Sequence, residues 1–152
     1  MKKIIVLSFL FFTSFVFSQQ EASNWYFGEN AGIKFHPDGS VTALLDGQLN
    51  TKEGCATISD SNGNLLFYTD GSKIWNKNHQ LMLNGTGLLG HWSSTQVATI
   101  VPLPGSTHLF YVFTLDFETN SNGFRYSIVD LDLDGGLGGV TRSLGYVLNV
   151  IM

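Results

Sequence analysis

The sequence predicts an all-β chain. Three observations carry this: short strand-like runs follow one another along its whole length, turn chemistry separates them, and no stretch beyond the N-terminus holds a 3.6-residue apolar period. The runs, in order, are "NWYFG", "AGIKFH", "SVTALL", "GCATISD", "GNLLFYTD", "KIWN", "QLML", "STQVATIVPL", "HLFYVFTLD" and "FRYSIVDLDL". Between them lie Pro37-Asp38-Gly39, Asn62-Gly63, Asn84-Gly85 and Pro104-Gly105, where Gly and Asn supply positive φ and Pro presets it.

Ahead of these runs the chain opens "MKKIIVLSFLFFTSFVFSQQ", a basic start followed by an uncharged run from Ile4 to Phe17 and modest side chains at Val16 and Ser18. That is the pattern of a secretory signal peptide over residues 1–18, cleaved after Ser18, and it is short for a membrane span, which takes ~20 apolar residues. Cleavage removes 18 of 152 residues, leaving residues 19–152, and with Lys2 and Lys3 gone the net charge falls from −4 to −6. An acidic exported chain lacks the basic patch that nucleic acid or an anionic membrane surface requires, so neither is an expected partner. Cys55, the single cysteine, cannot form an internal disulfide; between Gly54 and Ala56 it reads as a small buried hydrophobe.

One segment recurs. "ATISDSNGNLLFY" from Ala56 to Tyr68 aligns with "ATIVPLPGSTHLFY" from Ala98 to Tyr111, at an offset of 42 residues for Ala-Thr-Ile and 43 for Leu-Phe-Tyr. A period of ~40 to 45 residues with about four strands is the size of one β-propeller blade. Blades stack face to face, and "LLFY" and "LFYVF" run apolar without alternation, as strands buried on both faces do. A pair of similar hairpins in a β-sandwich is the other arrangement that the repeat allows. The strands amount to under three four-stranded blades, whereas a closed ring needs at least four. The fold expected is therefore a partial β-propeller over residues 19–152, belonging with the remaining blades of a longer parent or to a truncated reading frame.

Together, "NWYFGENAGIKF", "GCATISDSNGNLLFYTDG", "IWNKNHQLMLNGTGLLG", "SSTQVATIVPLPGS" and "RYSIVDLDLDGGLGGV" resemble the N-terminal propeller-like region of large secreted or surface proteins of Bacteroidota, a group associated with gliding motility and type IX sorting. The resemblance implies further blades, immunoglobulin-like PKD modules and a C-terminal sorting domain in a parent protein. It also implies an exported, non-catalytic scaffold or adhesion role at the cell envelope.

Candidate sites are few. Asp130, Asp132 and Asp134, followed by Gly135, begin a calcium loop, but its twelfth position is Thr141 rather than a bidentate Glu. The same residues read as a strand end with Leu131 and Leu133 turned to the core, and the sequence favours that reading. Asp60, Asn62 and Asn64 repeat the pattern more weakly, in what a hairpin turn wants anyway. Trp92, with His91 and Gln96 as polar neighbours, is the best candidate for stacking on a glycan; Trp25 and Trp75 are weaker ones.

No enzyme signature is present. His36, His79, His91 and His108 lack zinc-ligand spacing, and neither a nucleophile elbow nor a phosphate-binding Gly-rich loop occurs. Asp70, Asp116 or Glu53 could pair for glycoside hydrolysis, which makes a propeller hydrolase the alternative function; a remnant without function of its own is a third. Asn84-Gly85-Thr86 fits an N-glycosylation pattern and reads equally as a turn. The function expected is a binding or scaffold module for extracellular glycan or protein, with no cofactor, Ca²⁺ at Asp130, Asp132 and Asp134 being the less favoured reading.

Overall fold

The computed structural model describes residues 20–117 and 123–144, so the leader expected over residues 1–18 lies outside the described residues. The chain is all-β. Each quoted run marks one strand: β1 (Asn24–Phe27), β2 (Ala31–Phe35), β3 (Val41–Leu44), β4 (Ala56–Ser59), β5 (Leu65–Thr69), β6 (Lys73–Asn76), β7 (Leu81–Thr86), β8 (Ala98–Pro102), β9 (Leu109–Leu115) and β10 (Phe124–Asp130); β7 outruns "QLML" and takes in Asn84-Gly85, which the sequence gives as a turn. A short 3-10 turn, Asp134–Gly136, leads into β11 (Gly139–Leu144), whose sequence has little apolar pattern to announce it. Among the described residues no helix is long and apolar enough to cross a membrane.

β1, β2 and β3 form a three-stranded antiparallel sheet. The other eight strands form a second sheet in the order β4-β5-β6-β7-β11-β10-β9-β8. It consists of two antiparallel meanders, β4 to β7 and β8 to β11, joined by one parallel pairing of Leu83 with Gly139. β4 and β8, its two end strands, also touch, so the sheet is folded into a nearly closed, barrel-like layer pair.

The meander β4 to β7 is covered on both faces, and β5 explains how. Phe67, Tyr68 and Thr69 are consecutive and fully buried, which a strand permits only when something packs on each side of it. Phe67 points into the main core with Ile58, Ile74, Met82, Phe110, Val112, Val129 and Val140. Tyr68 points the other way, to Tyr26, Leu49 and Trp75. Its ring stacks on Tyr26 at 4.7 Å and on Trp75 at 5.6 Å, which ties the three-stranded sheet to the meander.

Backbone and side-chain bonds reinforce that junction. Asn24 Nδ2 donates to Ser59 Oγ and to the Gly63 carbonyl, each at 2.9 Å, and Tyr26 N donates to Thr57 Oγ1 at 3.0 Å. Cys55 sits in the same seam, its thiol donating to the Tyr26 carbonyl at 3.3 Å. Burial, with the Asp70 charge as the lesser cause, pushes this thiol up and away from thiolate chemistry.

β9 departs from the sequence expectation. "LFYVF" reads as buried on both faces, yet only Phe110, Val112 and Thr114 are buried, while Leu109, Tyr111 and Phe113 are half-buried. The outer face carries its own aromatic cluster, Tyr111, Phe113, Phe124 and Tyr126, with Phe113 and Phe124 stacked at 5.3 Å. The repeat also differs in orientation. Phe67 and Phe110, equivalent in the two Leu-Phe-Tyr triplets, point at each other, whereas blades stacked one behind the next would aim them the same way.

Candidate functional site

Three connections meet at one end of the β4 to β7 meander: the long β3–β4 segment, the tight β5–β6 turn and the β7–β8 segment. Asp70 makes the turn. Its Oδ1 accepts from Ser72 N, Ser72 Oγ and Lys73 N, all at 2.8 Å, so the carboxylate substitutes for the missing strand partners of a tight bend. The β7–β8 segment is laced to this turn by Leu88 N donating to the Ser72 carbonyl at 3.1 Å and Gly90 N donating to the Gly71 carbonyl at 3.0 Å. Gly71 has φ +81°, and a Cβ there would run into the Val97 side chain, so glycine alone allows the approach.

These loops enclose a cleft of about 360 Å³ lined by Asn50, Thr51, Lys52, Asp70, Ser72 and Trp92. Trp92 is 69% exposed, the most open of the three tryptophans. Trp25, 51% exposed, donates its Nε1–H to the Ala22 carbonyl at 2.8 Å and packs edge-on to Phe35. Trp75 lies in the core seam.

His91 does not line the cleft; it supports Trp92 from behind. Its ring lies 5.4 Å from the Trp92 ring and 5.2 Å from Phe117, its backbone N–H donates to the Leu115 carbonyl at 3.1 Å, and its Nδ1 accepts from Ser93 N at 3.1 Å. Gln96 is placed apart. It borders a different hollow with Thr99, Phe113, Leu115 and Phe124, and its amide donates to Thr99 Oγ1 at 3.4 Å. Of the three residues that the sequence grouped, the fold keeps Trp92 with its support His91 and separates Gln96.

The carboxylates considered for hydrolysis do not share this lining. Asp70 is in the cleft, Glu53 is exposed on the adjoining loop outside its lining, and Asp116 is buried with its Oδ1 accepting from Phe117 N at 2.8 Å. Asn50, Thr51, Lys52 and Ser72 went unremarked in the sequence. The available signal was the length of the polar segment between "SVTALL" and "GCATISD", too long for a simple hairpin loop.

The acidic loops are likewise distinct. Asp60 is saturated by its own turn: Oδ1 accepts from Asn62 N at 2.9 Å and Asn64 N at 2.8 Å, and Oδ2 accepts from Asn64 Nδ2 at 2.9 Å. Its slight burial works against ionisation, but these bonds outweigh it and hold the carboxyl below its usual range. Asp130 ends β10 and Asp132 follows it, with Asp130 Oδ1 accepting from Asp132 N at 2.9 Å, while Asp134 belongs to the following 3-10 turn, at φ +51°. Leu131 packs against the main core between them. Asn84 is exposed on β7, its Nδ2 donating to the Val140 carbonyl at 3.4 Å.

Set against family models, curated proteins and solved structures, the chain matches none.

Proposed function

We propose that the chain is an exported, non-catalytic module of stacked antiparallel sheets that binds extracellular glycan at the Trp92 cleft. The observation that carries this is an indole left 69% exposed beside a hydrogen-bonding wall. A tryptophan face is a stacking surface for the C–H side of a pyranose, and water is displaced from apolar surface on both partners. Asn50, Thr51, Lys52, Ser72 and Asp70 offer amide, hydroxyl, ammonium and carboxylate groups to ring hydroxyls. A few such polar groups around an apolar floor are the usual make-up of a small-ligand cleft, and about 360 Å³ is at the small end of the usual range.

Binding is preferred to hydrolysis because glycosidases use two carboxylates ~5 to 9.5 Å apart, and this lining supplies one, Asp70, already engaged in holding its turn. The stacked-sheet reading rests on the meander buried on both faces and on the aromatic outer face of β9 and β10, which suits a further sheet of a longer parent; the meeting of Phe67 and Phe110 across one core sets the two repeat copies apart from successive propeller blades. Attachment at the envelope of a Bacteroidota cell follows from the leader and the family resemblance.

Affinity electrophoresis in gels cast with soluble neutral and acidic polysaccharides tests the proposal on the full chain. At least one polysaccharide should retard the protein, and Trp92→Ala should abolish the retardation without altering the circular dichroism spectrum. Equal retardation of both proteins, or none across the panel, would refute glycan binding at this cleft.

A further inference from the structure

The β9–β10 pairing ends with Leu109 opposite Asp130. Just beyond it, Leu131 N donates to the His108 carbonyl at 2.9 Å, which holds the residue before β9 beside the residues after β10. His108, Asp130 and Asp132 then each bring one ligand atom within 4.8 Å of the others, and His108 Nε2 is 3.8 Å from Asp132 Oδ2. Behind the imidazole, Ser106 Oγ accepts from His108 N at 3.3 Å and from Leu109 N at 3.0 Å, and it lies 3.5 Å from His108 Nδ1. Ser106 thus anchors the backbone at the start of β9 and lies beside Nδ1, while Nε2 is the ring nitrogen that faces Asp132.

We infer that His108, Asp130 and Asp132 form a site for a divalent transition-metal ion of the Zn²⁺ type. The donor set selects the class: one imidazole nitrogen with two carboxylate oxygens suits Zn²⁺ and its first-row neighbours, whereas Ca²⁺ takes six to eight oxygens. Electrostatics agrees. A half-exposed imidazole and a largely exposed Asp132 gain little from each other in water, while two carboxylates converging on one imidazole repel, and a cation between them removes that cost. Ligand distances of ~2.0 to 2.2 Å are reached by small side-chain rotations, with coordination positions left open toward solvent. The site differs from the calcium loop read in the sequence. Asp134 drops out, and His108 enters from the turn before β9, which sequence spacing cannot bring near.

Isothermal titration of the untagged full chain with Zn²⁺, followed by the visible absorption of bound Co²⁺, tests this. One ion per chain should bind; His108→Ala and Asp132→Asn should each weaken it by more than about tenfold, and Asp134→Asn and His36→Ala should leave it unchanged. Co²⁺ should selectively broaden or shift the His108 ring resonances, a readout that does not depend on any variant folding. The inference fails if Zn²⁺ does not bind, if binding survives His108→Ala, if the His108 resonances are untouched, or if millimolar Ca²⁺ displaces the ion in a manner that requires Asp134.

Discussion

Phe67 and Phe110 hold the same place in the two copies of the Leu-Phe-Tyr triplet, yet their rings meet edge to face, 5.5 Å apart, across one shared core. The repeat is therefore a repeat of strand-turn-strand sequence whose two copies face inward on each other. Tyr68 and Tyr111, the next residues, turn outward in opposite directions, the first onto Tyr26 and the second into the aromatic cluster with Phe113 and Tyr126.

The ring pair gives the first prediction. Phe67→Ala should destabilise the fold by about 3–5 kcal/mol in urea or guanidinium titrations, the range for truncating a buried Phe, and Phe110→Ala by a similar or smaller amount. The double variant should show a coupling of about 0.5–1.5 kcal/mol. Strict additivity would mean that the two rings do not meet.

Stability should fall in alkali. Tyr26 is raised well above the ordinary tyrosine range by burial first, then by donating to Asp46 Oδ1 at 2.8 Å and by the charge of that carboxylate. Tyr68 is raised by burial and, to a lesser degree, by Asp46, against a bond from Gln48 N–H. Above pH ~10 the unfolded chain releases these protons while the native state keeps them, so unfolding gains with every step in pH. Urea midpoints should drop from pH 9 to 11.5, and Tyr26→Phe should make that slope shallower.

Asp60 works in the other direction. Its lowered carboxyl contributes stability above pH ~4 that disappears as acid protonates it. Asp60→Ala should lower the melting temperature at pH 7 and flatten the loss of stability between pH 5 and 2.5, measured by thermal circular dichroism. An unchanged acid profile would show that Asp60 does not hold the β4–β5 turn.

Gly28 couples the three-stranded sheet to the cleft. A Cβ at this position would collide with the Thr51 carbonyl, on the segment that lines the cleft. Gly28→Ala should cost about 1–3 kcal/mol, as overpacking does, and should weaken glycan retardation although residue 28 touches no ligand. Retention of full binding would separate the cleft from this contact.

The strands were legible because their apolar runs are short and their turns are chemically explicit; nine of the ten quoted runs hold one strand each, and "QLML" begins one that continues through Asn84-Gly85. β11 was not, since "GVTRSL" gains its strand state from pairing with β10 rather than from its own pattern. The orientation of the repeat was hidden for a related reason. Both hairpins send their Phe to the core, Ile58 pairing with Phe67 in one and Ile100 with Val112, two residues from Phe110, in the other, so it is the folding of one meander onto the other, a long-range contact, that makes the two copies face each other. For the site, Trp92 stood out as an aromatic in a polar glycine-rich loop, whereas its cleft partners come from segments 20 and 40 residues away. His108 meets Asp130 and Asp132 only through strand pairing.

The most direct measurement is a titration of the isotopically labelled full chain with an oligosaccharide of the polysaccharide that retards it, followed by two-dimensional NMR. The glycan account predicts saturable shifts confined to residues 50–52 and 70–72 and to the indole N–H of Trp92. Shifts centred instead on Trp25 and Phe35, on the Tyr111 and Phe113 face, or nowhere, would contradict it.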